Sequence, residues 1–322
     1  MFIRFETANV NLESLNRLQA SFGQRLQRGV PLDRFTSARV GGTAEILLEV
    51  ESADELAQAA TLLWSEGVAW KILGGGSNVL VSDSGVRGVV VVNRARKVRF
   101  DEDSDPPTVW AESGANFGLV ARQAASRGLS GLEWAAGIPG TIGGAVVGNA
   151  GAHGGDMAGN LIVATILQRN LEDGVPIRVT WPVKRFEYAY RTSQLKRMPG
   201  QAVVLEAQLR LQRSTPEGVQ AKMDEYVSYR RRTQPPGASM GSMFKNPPGD
   251  YAGRLIEAAG LKGVQVGDAQ ISTLHANFFI NHGEATAADI YALIELAKRA
   301  VAEKFGVHLE LEIELVGNWV GR

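Results

Sequence analysis

The sequence predicts an α+β fold, and three observations support this prediction. Residues 38–95 have the pattern strand, helix, strand, strand, and residues 160–210 follow as a run of strands. The last third of the chain carries helical patterns at about 216–231 and 287–305 before a final strand. At 322 residues, the chain is long enough for one large domain or for two to three smaller ones, with ample length for a buried core.

Composition limits the classes of function. Lysine plus arginine and aspartate plus glutamate both number 34, so no net charge attracts nucleic acid or an anionic membrane. The absence of cysteine excludes disulfides, cysteine-ligated zinc and iron–sulfur clusters. The first residues lack a secretory pattern, and no apolar run approaches the length of a membrane span. We therefore expect a cytoplasmic protein that binds no nucleic acid, no membrane and no metal.

The elements of the first unit follow from local patterns. Residues 1–30 form a helix-containing lead-in, and Glu45–Glu51 (EILLEVE) is a strand. Ser52–Glu55 is a capping box that opens a helix. Trp70–Leu73 and Gly88–Asn93 are apolar strands.

A glycine-rich loop, Gly74-Gly75-Gly76-Ser77-Asn78, separates two strands of this unit. Consecutive glycines allow the backbone N–H groups to approach a ligand closely, which suits a phosphate. A helix follows the glycines in Rossmann and P-loop proteins, whereas here the strand Val79–Val81 follows. A hairpin that merely needs glycine remains the alternative.

The middle of the chain contains further strands and a second glycine-dense segment. A helix begins near Asn116, and Val203–Leu211 is an amphipathic strand before a boundary near Arg213–Gly218. The segment Gly137–Gly155 is too apolar for a linker and too interrupted for a regular helix. Its small residues would let a flat ring or a pyrophosphate lie on the backbone.

Two short motifs combine groups that can carry chemistry. Arg191 follows Tyr190 in the motif YRTS, although an arginine at a strand end often forms only a surface ion pair. In GSMFKNP, Ser242, Lys245 and Asn246 place a hydroxyl, a cation and an amide in one loop. An ordinary turn is the alternative, and no nucleophile elbow or histidine–aspartate pair indicates a serine hydrolase.

The chain ends in an alternating segment that predicts a half-buried strand over Val307–Val316. Glutamates occupy one face of this strand, at Glu310, Glu312 and Glu314. Periodicity alone does not indicate which of them, if any, is catalytic.

The blocks GGGSN, GIPGTIGG with NAGA, YRTS, GSMFKNP and the terminal EIELVG occur in one order over about residues 35–317. The glycine blocks resemble the FAD-binding domain of the vanillyl-alcohol-oxidase/PCMH superfamily. The full set resembles the UDP-N-acetylenolpyruvoylglucosamine reductase family, type II. This resemblance implies a two-part FAD-binding PCMH-type domain (1–95 and 96–213) and a C-terminal α+β substrate-binding domain (214–322).

The resemblance also implies the reaction. A hydride passes from NADPH to FAD and then to the enolpyruvyl group of a UDP-sugar, giving UDP-N-acetylmuramate for peptidoglycan, and hence for cell shape and division. The FAD is expected to be non-covalent, since the chain lacks cysteine and its first histidine, His153, follows the glycine loop. The partners are the small molecules NADPH and the UDP-sugar, and we expect a monomer.

By the same resemblance, Ser242 donates a proton, and Arg191 and Glu312 stabilise the enolic intermediate. Glu312 is selected because it stands five residues before Gly317. The implied FAD contacts are Gly74, Gly75, Gly76, Ser77, Asn78, Gly137, Ile138, Pro139, Gly140, Thr141, Gly144 and Ala145. The implied substrate contacts are Tyr190, Lys245, Asn246, His275 and Asn277.

Two departures from the family pattern bear on the site. His153 stands where members often have tyrosine, and Glu314 stands where a basic residue is common. Glu314 is two residues from Glu312, so we expect it to raise the pKa of that carboxyl. Tyr229–Arg232 (YRRR) is either a diphosphate contact or a solvated helix end. The alternative functions are an oxidase of the same superfamily and a non-catalytic nucleotide-sugar binding protein.

Overall fold

The structure is a computed structural model that describes residue 10, residues 12–170 and residues 173–319. Its helices are α1 (Leu12–Phe22), α2 (Ala53–Ser65), α3 (Phe117–Ala125), α4 (Ile142–Gly148), α5 (Met157–Asn160), α6 (Gln194–Arg197), α7 (Pro216–Thr233), α8 (Ala252–Ala258) and α9 (Ala287–Phe305). Its strands are β1 (Leu26–Pro31), β2 (Thr43–Val50), β3 (Trp70–Leu73), β4 (Val79–Val81), β5 (Val86–Asn93), β6 (Val98–Asp101), β7 (Thr108–Glu112), β8 (Leu129–Ser130), β9 (Gly151–Ala152), β10 (Gly155–Asp156), β11 (Leu161–Arg169), β12 (Pro176–Pro182), β13 (Ala202–Arg210), β14 (Gln212–Arg213), β15 (Gln265–Val266), β16 (Ala269–Ile271), β17 (Phe279–Asn281) and β18 (Glu314–Val316). The predicted α+β fold is confirmed.

The first sheet has the order β1-β2-β5-β3, with β2 and β3 parallel to β5. Helix α2 begins after Ser52, whose hydroxyl accepts the N–H of Glu55, and it buries Leu56 and Leu63 against this sheet. Strand β4, which follows the glycine loop, does not join the sheet. It pairs in parallel with β18, so that Val79 lies opposite Glu314. Strand β18 therefore lies beside the glycine loop.

The second sheet is antiparallel, with the order β12-β11-β13-β7-β6. Its core includes Phe117 of α3 and Trp134, which pack edge to face. Val219 and Met223 of α7 also belong to this core, although α7 follows the predicted domain boundary. The division at residue 213 therefore stays a prediction.

The C-terminal part builds a sheet of the order β15-β16-β17 under α8 and α9. The predicted start of α9 is confirmed: Thr286 and Asp289 form a complete capping box. Its predicted end is confirmed as well, because Gly306 adopts φ +68° as the C-cap.

The predicted strand Val307–Val316 is wrong over most of its length, since only Glu314–Val316 is a strand. The preceding backbone pairs with the GSMFKNP loop instead. Lys245 N–H donates to the Glu310 carbonyl, and Glu312 N–H donates to the Met243 carbonyl, both at 2.9 Å. Apolar and acidic residues still alternate in the sequence of this segment. Its backbone, however, pairs first with the GSMFKNP loop and then, from Glu314, with β4.

Within the described part of the chain, none of the helices has the length and apolar character needed to cross a membrane. The same residues include no group of three or more histidine, aspartate or glutamate side chains that could hold a metal ion. Part of the predicted lead-in, residues 1–9 and 11, lies outside the described residues.

Candidate active site

The two glycine segments lie backbone against backbone. The Ser77 hydroxyl donates to the Pro139 carbonyl at 3.1 Å. A Cβ added to Gly75 would lie 3.0 Å from the Gly140 Cα, and one added to Gly74 would lie 2.6 Å from the Thr141 Oγ1. Glycine is required here because the segments approach too closely for side chains.

Gly76 is constrained most strongly. Its φ is +61°, and an added Cβ would lie 1.9 Å from the carbonyl oxygen of Phe35. Its own carbonyl accepts the N–H of Ser37 at 3.0 Å. The loop is therefore fixed against residues 35–37 in a conformation that only glycine adopts without strain.

A cleft of ≈ 280 Å³ opens beside these glycines. Residues outside the predicted set also line it, among them Arg94, Arg96 and Asn116. Exposed glycine backbone beside two arginines suits an anionic diphosphate, so the site fits a dinucleotide such as FAD. Sequence reasoning missed these three residues, although Arg94 directly follows β5 and Asn116 caps α3.

Arg191 lies at the tip of a tight turn. Ala189 and Thr192 exchange two backbone hydrogen bonds of 3.2 Å across it, and Arg191 has φ +56°. A left-handed conformation costs a non-glycine residue about 1–2 kcal/mol. The turn is held from outside, since the Asn149 amide donates to the Ala189 carbonyl at 3.2 Å and the Ser193 hydroxyl donates to the Val147 carbonyl at 2.6 Å. The end of α4 thus fixes the strained Arg191.

Arg191 forms an ion pair with Glu312, with 2.9 Å between Nε and Oε1. Nε is buried, yet its N–H forms no hydrogen bond, so the contact is a charge pair rather than an aligned hydrogen bond. Arg191 contacts no other carboxylate within 4.0 Å among the described residues. Its guanidinium therefore keeps donors for a ligand.

Burial raises the pKa of the Glu312 carboxyl, and the charges of Arg191, Lys196 and Lys245 oppose that rise. The expectation that Glu314 contributes to this rise stays a prediction, because burial is its largest cause. Glu314 itself is ion-paired with Lys71 of β3.

Ser242 and Glu312 are brought together by main-chain pairing. The Glu312 N–H donates to the carbonyl of Met243, which directly follows Ser242. On the other side, the Glu312 carbonyl accepts the side-chain amide of Asn78 at 3.2 Å. The glycine loop, the glutamate and the serine loop therefore form one connected unit.

Asn277 lies beneath the serine loop. Its Oδ1 accepts the Phe244 N–H at 2.9 Å and its Nδ2 donates to the Phe244 carbonyl at 2.8 Å. The side chain is buried, at 3% exposure. His275 is half-buried beside it, with its Nδ1 accepting the Asn277 N–H at 3.2 Å. These contacts position the loop and leave Asn277 little access to a substrate.

The remaining predicted substrate residues lie on the accessible side. Tyr190 is 55% exposed, and its hydroxyl accepts the backbone N–H of Asn246 at 3.4 Å. The Asn246 side chain caps α8 by accepting the Ala252 N–H at 3.1 Å. Lys245 forms a 3.1 Å ion pair with the exposed Glu310.

Lys196 was missed from the sequence because nothing local distinguishes it. Its Nζ donates to the Arg191 carbonyl at 3.3 Å. Burial lowers the pKa of this amine, as do the charges of Lys245 and Arg191, while Glu314 and Glu312 raise it. Lys196 thus lies among the charges that surround the Arg191–Glu312 pair.

His153 occupies the turn between β9 and β10 with φ +52°. Its ring stacks on Tyr226, with 4.2 Å between the centroids, and its buried Nε2 has no hydrogen-bond partner. Burial and the charge of Arg230 lower the pKa of the imidazole.

The cleft beside the glycine segments fits FAD, and the matches to known proteins make the chain an FAD-dependent oxidoreductase. Residues 44–168 match the family "FAD binding domain", and residues 233–316 match "UDP-N-acetylenolpyruvoylglucosamine reductase, C-terminal domain". The chain belongs to the UDP-N-acetylenolpyruvoylglucosamine reductase family. Its activity is the NADPH-dependent reduction of UDP-N-acetylglucosamine enolpyruvate to UDP-N-acetylmuramate in peptidoglycan precursor synthesis.

Relatives match over nearly the full length. The UDP-N-acetylenolpyruvoylglucosamine reductase of Chloroflexus aggregans is 46% identical over 294 residues, covering 90% of this chain and 97% of its own. That of Bacillus subtilis is 40% identical and covers 89% and 92%. The crystal structure of the Thermus caldophilus enzyme superposes with a TM-score of 0.75 at 37% identity, covering 91% of this chain and 99% of its own.

Proposed function

We propose that Ser242, Arg191 and Glu312 carry out the protonation half of this reduction. The observation that supports the assignment most strongly is the connected unit in which Glu312 contacts Arg191, the Ser242 loop and the glycine loop. This unit joins the three residues to the glycine loop, which supports placing their chemistry next to the FAD site.

The glycine segments would hold FAD without a covalent bond. Gly74–Asn78 would contact the diphosphate, while Gly137–Thr141, Gly144 and Ala145 would line the flavin ring. FAD held there would supply the hydride for the terminal carbon of the enolpyruvyl double bond, with NADPH as the source of that hydride.

Ser242 supplies the proton. Hydride addition leaves negative charge on the carbon next to the carboxylate, and the Ser242 hydroxyl protonates that carbon. Serine is a weak acid in water, but a transient carbanion is a strongly basic acceptor, and positioning makes the transfer effective.

Arg191 stabilises the negative charge that spreads onto the carboxylate during this step. Its guanidinium donors are free for that role, and Glu312 orients the side chain through Nε. One positioned donor of this kind contributes about 3–4 kcal/mol. Glu312 is active in its ionised form, because it must pair with the Arg191 charge. Activity therefore declines as the pH falls through the pKa of Glu312.

Tyr190, Lys245, Asn246 and His275 are the proposed contacts of the UDP-sugar. For Asn277 we propose a positioning role under the loop, in place of the direct contact that the resemblance implied. We also propose that the enzyme works as a cytoplasmic monomer, where NADPH and the UDP-sugar are available.

Anaerobic spectroscopy tests the assignment against a superfamily oxidase. The purified protein should show an oxidised flavin spectrum, which NADPH bleaches and UDP-N-acetylglucosamine enolpyruvate restores with release of UDP-N-acetylmuramate. A flavin that NADPH does not bleach indicates an oxidase. A protein that binds the UDP-sugar but holds no flavin indicates a non-catalytic binding protein.

A further inference from the structure

Lys196 is a half-buried cation for which the proposed reaction gives no role. Among the residues that the structure describes, no carboxylate lies within 4.0 Å of its Nζ, unlike the four lysines that form ion pairs. Burial lowers the pKa of its amine, so the fold holds this charge in place at a cost in free energy. A long side chain that extends its amine into water avoids that cost. The position of Lys196 therefore indicates a task within the site.

The Lys196 ammonium donates a hydrogen bond to the backbone carbonyl of Arg191, with 3.3 Å between Nζ and the oxygen. Arg191 is the residue in the left-handed conformation, with φ +56°. The direction of a carbonyl depends on the backbone dihedral angles, so a change of Arg191 to an ordinary conformation would turn the oxygen away from Lys196. A charged donor makes the bond about twice as strong as a neutral one. The contact therefore favours the left-handed conformation.

The backbone of Lys196 is fixed on the same support as the turn. The buried Ser193 hydroxyl accepts the Lys196 N–H at 3.3 Å and donates to the Val147 carbonyl at 2.6 Å. Ser193 is the N-cap of α6, so this one hydroxyl ties the start of α6 to the end of α4. Lys196 thus begins from a fixed backbone, and only its side chain has to fold back to the Arg191 carbonyl.

We propose that Lys196 is a positioning residue that holds Arg191 in the conformation from which it contacts Glu312. This inference rests on the proposed function, in which Arg191 stabilises the developing negative charge. Asn149 and Ser193 hold the residues around Arg191, whereas Lys196 holds the backbone of Arg191 itself. A change in that backbone would displace the Arg191 Nε from its place 2.9 Å from the Glu312 Oε1. Lys196 acts through Arg191 and needs no contact with the substrate.

Single-turnover reduction of UDP-N-acetylglucosamine enolpyruvate by the NADPH-reduced holoenzyme, without oxygen, tests this role. The proteins are the wild type, Lys196→Met, Lys196→Arg and the control Arg197→Met, which changes the exposed neighbour on the same helix. The rate of flavin recovery is measured over a series of pH values and substrate concentrations. FAD content and the urea unfolding midpoint are recorded for each protein.

Lys196→Met should lower the recovery rate on the pH-independent plateau about 10-fold and change the apparent Kd of the substrate less than about 3-fold. Loss of the charge alone would move the acid limb and leave the plateau at the wild-type rate. Lys196→Arg should restore most of the plateau rate, because it keeps a charged donor. Arg197→Met should match the wild type.

A double-mutant cycle with Arg191→Ala separates action through Arg191 from an independent role. If Lys196 acts through Arg191, adding Lys196→Met to Arg191→Ala should slow recovery no further. Further slowing, or a wild-type plateau for Lys196→Met alone, would overturn the inference. A wild-type rate for Arg191→Ala would show instead that the proposed function of Arg191 is wrong. If Lys196→Met does not retain FAD, Lys196→Gln takes its place in the cycle.

Discussion

The side-chain amide of Asn78 donates a hydrogen bond to the backbone carbonyl of Glu312, 3.2 Å away and 234 residues further along the chain. The Glu314 N–H returns a bond to the Asn78 carbonyl at 2.9 Å. The last residue of the glycine loop and the glutamate that contacts Arg191 are thus fixed to each other. Cofactor binding and the geometry of the charged pair should therefore depend on the same loop.

Gly76→Ala should destabilise the protein by about 3 kcal/mol and weaken FAD binding, because the new Cβ meets the Phe35 carbonyl and the left-handed backbone strains alanine. Gly148→Ala is the matched control, since a Cβ there meets nothing within 4 Å. Urea unfolding and FAD titration measure both effects. Equal stability of the two variants would contradict the constrained loop.

Arg191→Lys should lower kcat by about 100-fold or more with a smaller change in KM. Lysine keeps a charge but lacks the fork of donors, and its amine does not reproduce the Nε contact with Glu312. Steady-state kinetics with the enolpyruvyl substrate measure both constants. A raised KM with kcat unchanged indicates that Arg191 only binds substrate.

Lys196→Met should move the acid limb of the kcat–pH profile to higher pH. The Lys196 charge is one of those that oppose the raised pKa of Glu312, so its removal raises that pKa further. Arg197→Met is the control, because Arg197 is exposed and pairs with Glu187 at 2.8 Å. Superimposable profiles for the wild type and Lys196→Met would exclude this electrostatic coupling.

Glu312→Gln should change how stability depends on pH. The folded pKa of Glu312 is raised above its unfolded value of about 4.3, so the wild type loses stability as the pH rises from that value through the folded pKa. Glutamine does not titrate, and the variant should gain stability relative to the wild type over this window. Urea unfolding at a series of pH values tests the sign, and a constant difference between the two proteins would refute it.

Local patterns predicted much of the fold. β3, β4 and α9 have the predicted bounds, because apolar runs and caps act over a few residues. The parallel pairing of β4 with β18 left no local signal, since its partners are distant in the chain. The predicted length of the last strand was wrong because its hydrogen-bonding partners are also distant in the chain.

Prediction of the candidate site was limited in the same way, because the site also depends on contacts between segments that are distant in the chain. Glycine blocks, the GSMFKNP loop and the YRRR run are visible as motifs, but Lys196 is a single cation whose significance depends on what the fold places around it. The left-handed Arg191 was equally hidden, because arginine has no preference for that conformation. Contacts outside the turn impose it.

The most direct test of the catalytic assignment is anaerobic stopped-flow spectroscopy of Ser242→Ala, with the exposed Ser126→Ala as the control. The first phase follows bleaching of the flavin by NADPH, and the second follows recovery of its colour with UDP-N-acetylglucosamine enolpyruvate. Ser242→Ala should bleach at the wild-type rate and then recover at least about 100-fold more slowly, because only the second phase needs the proton. Recovery at the wild-type rate would contradict the role of Ser242 as the proton donor.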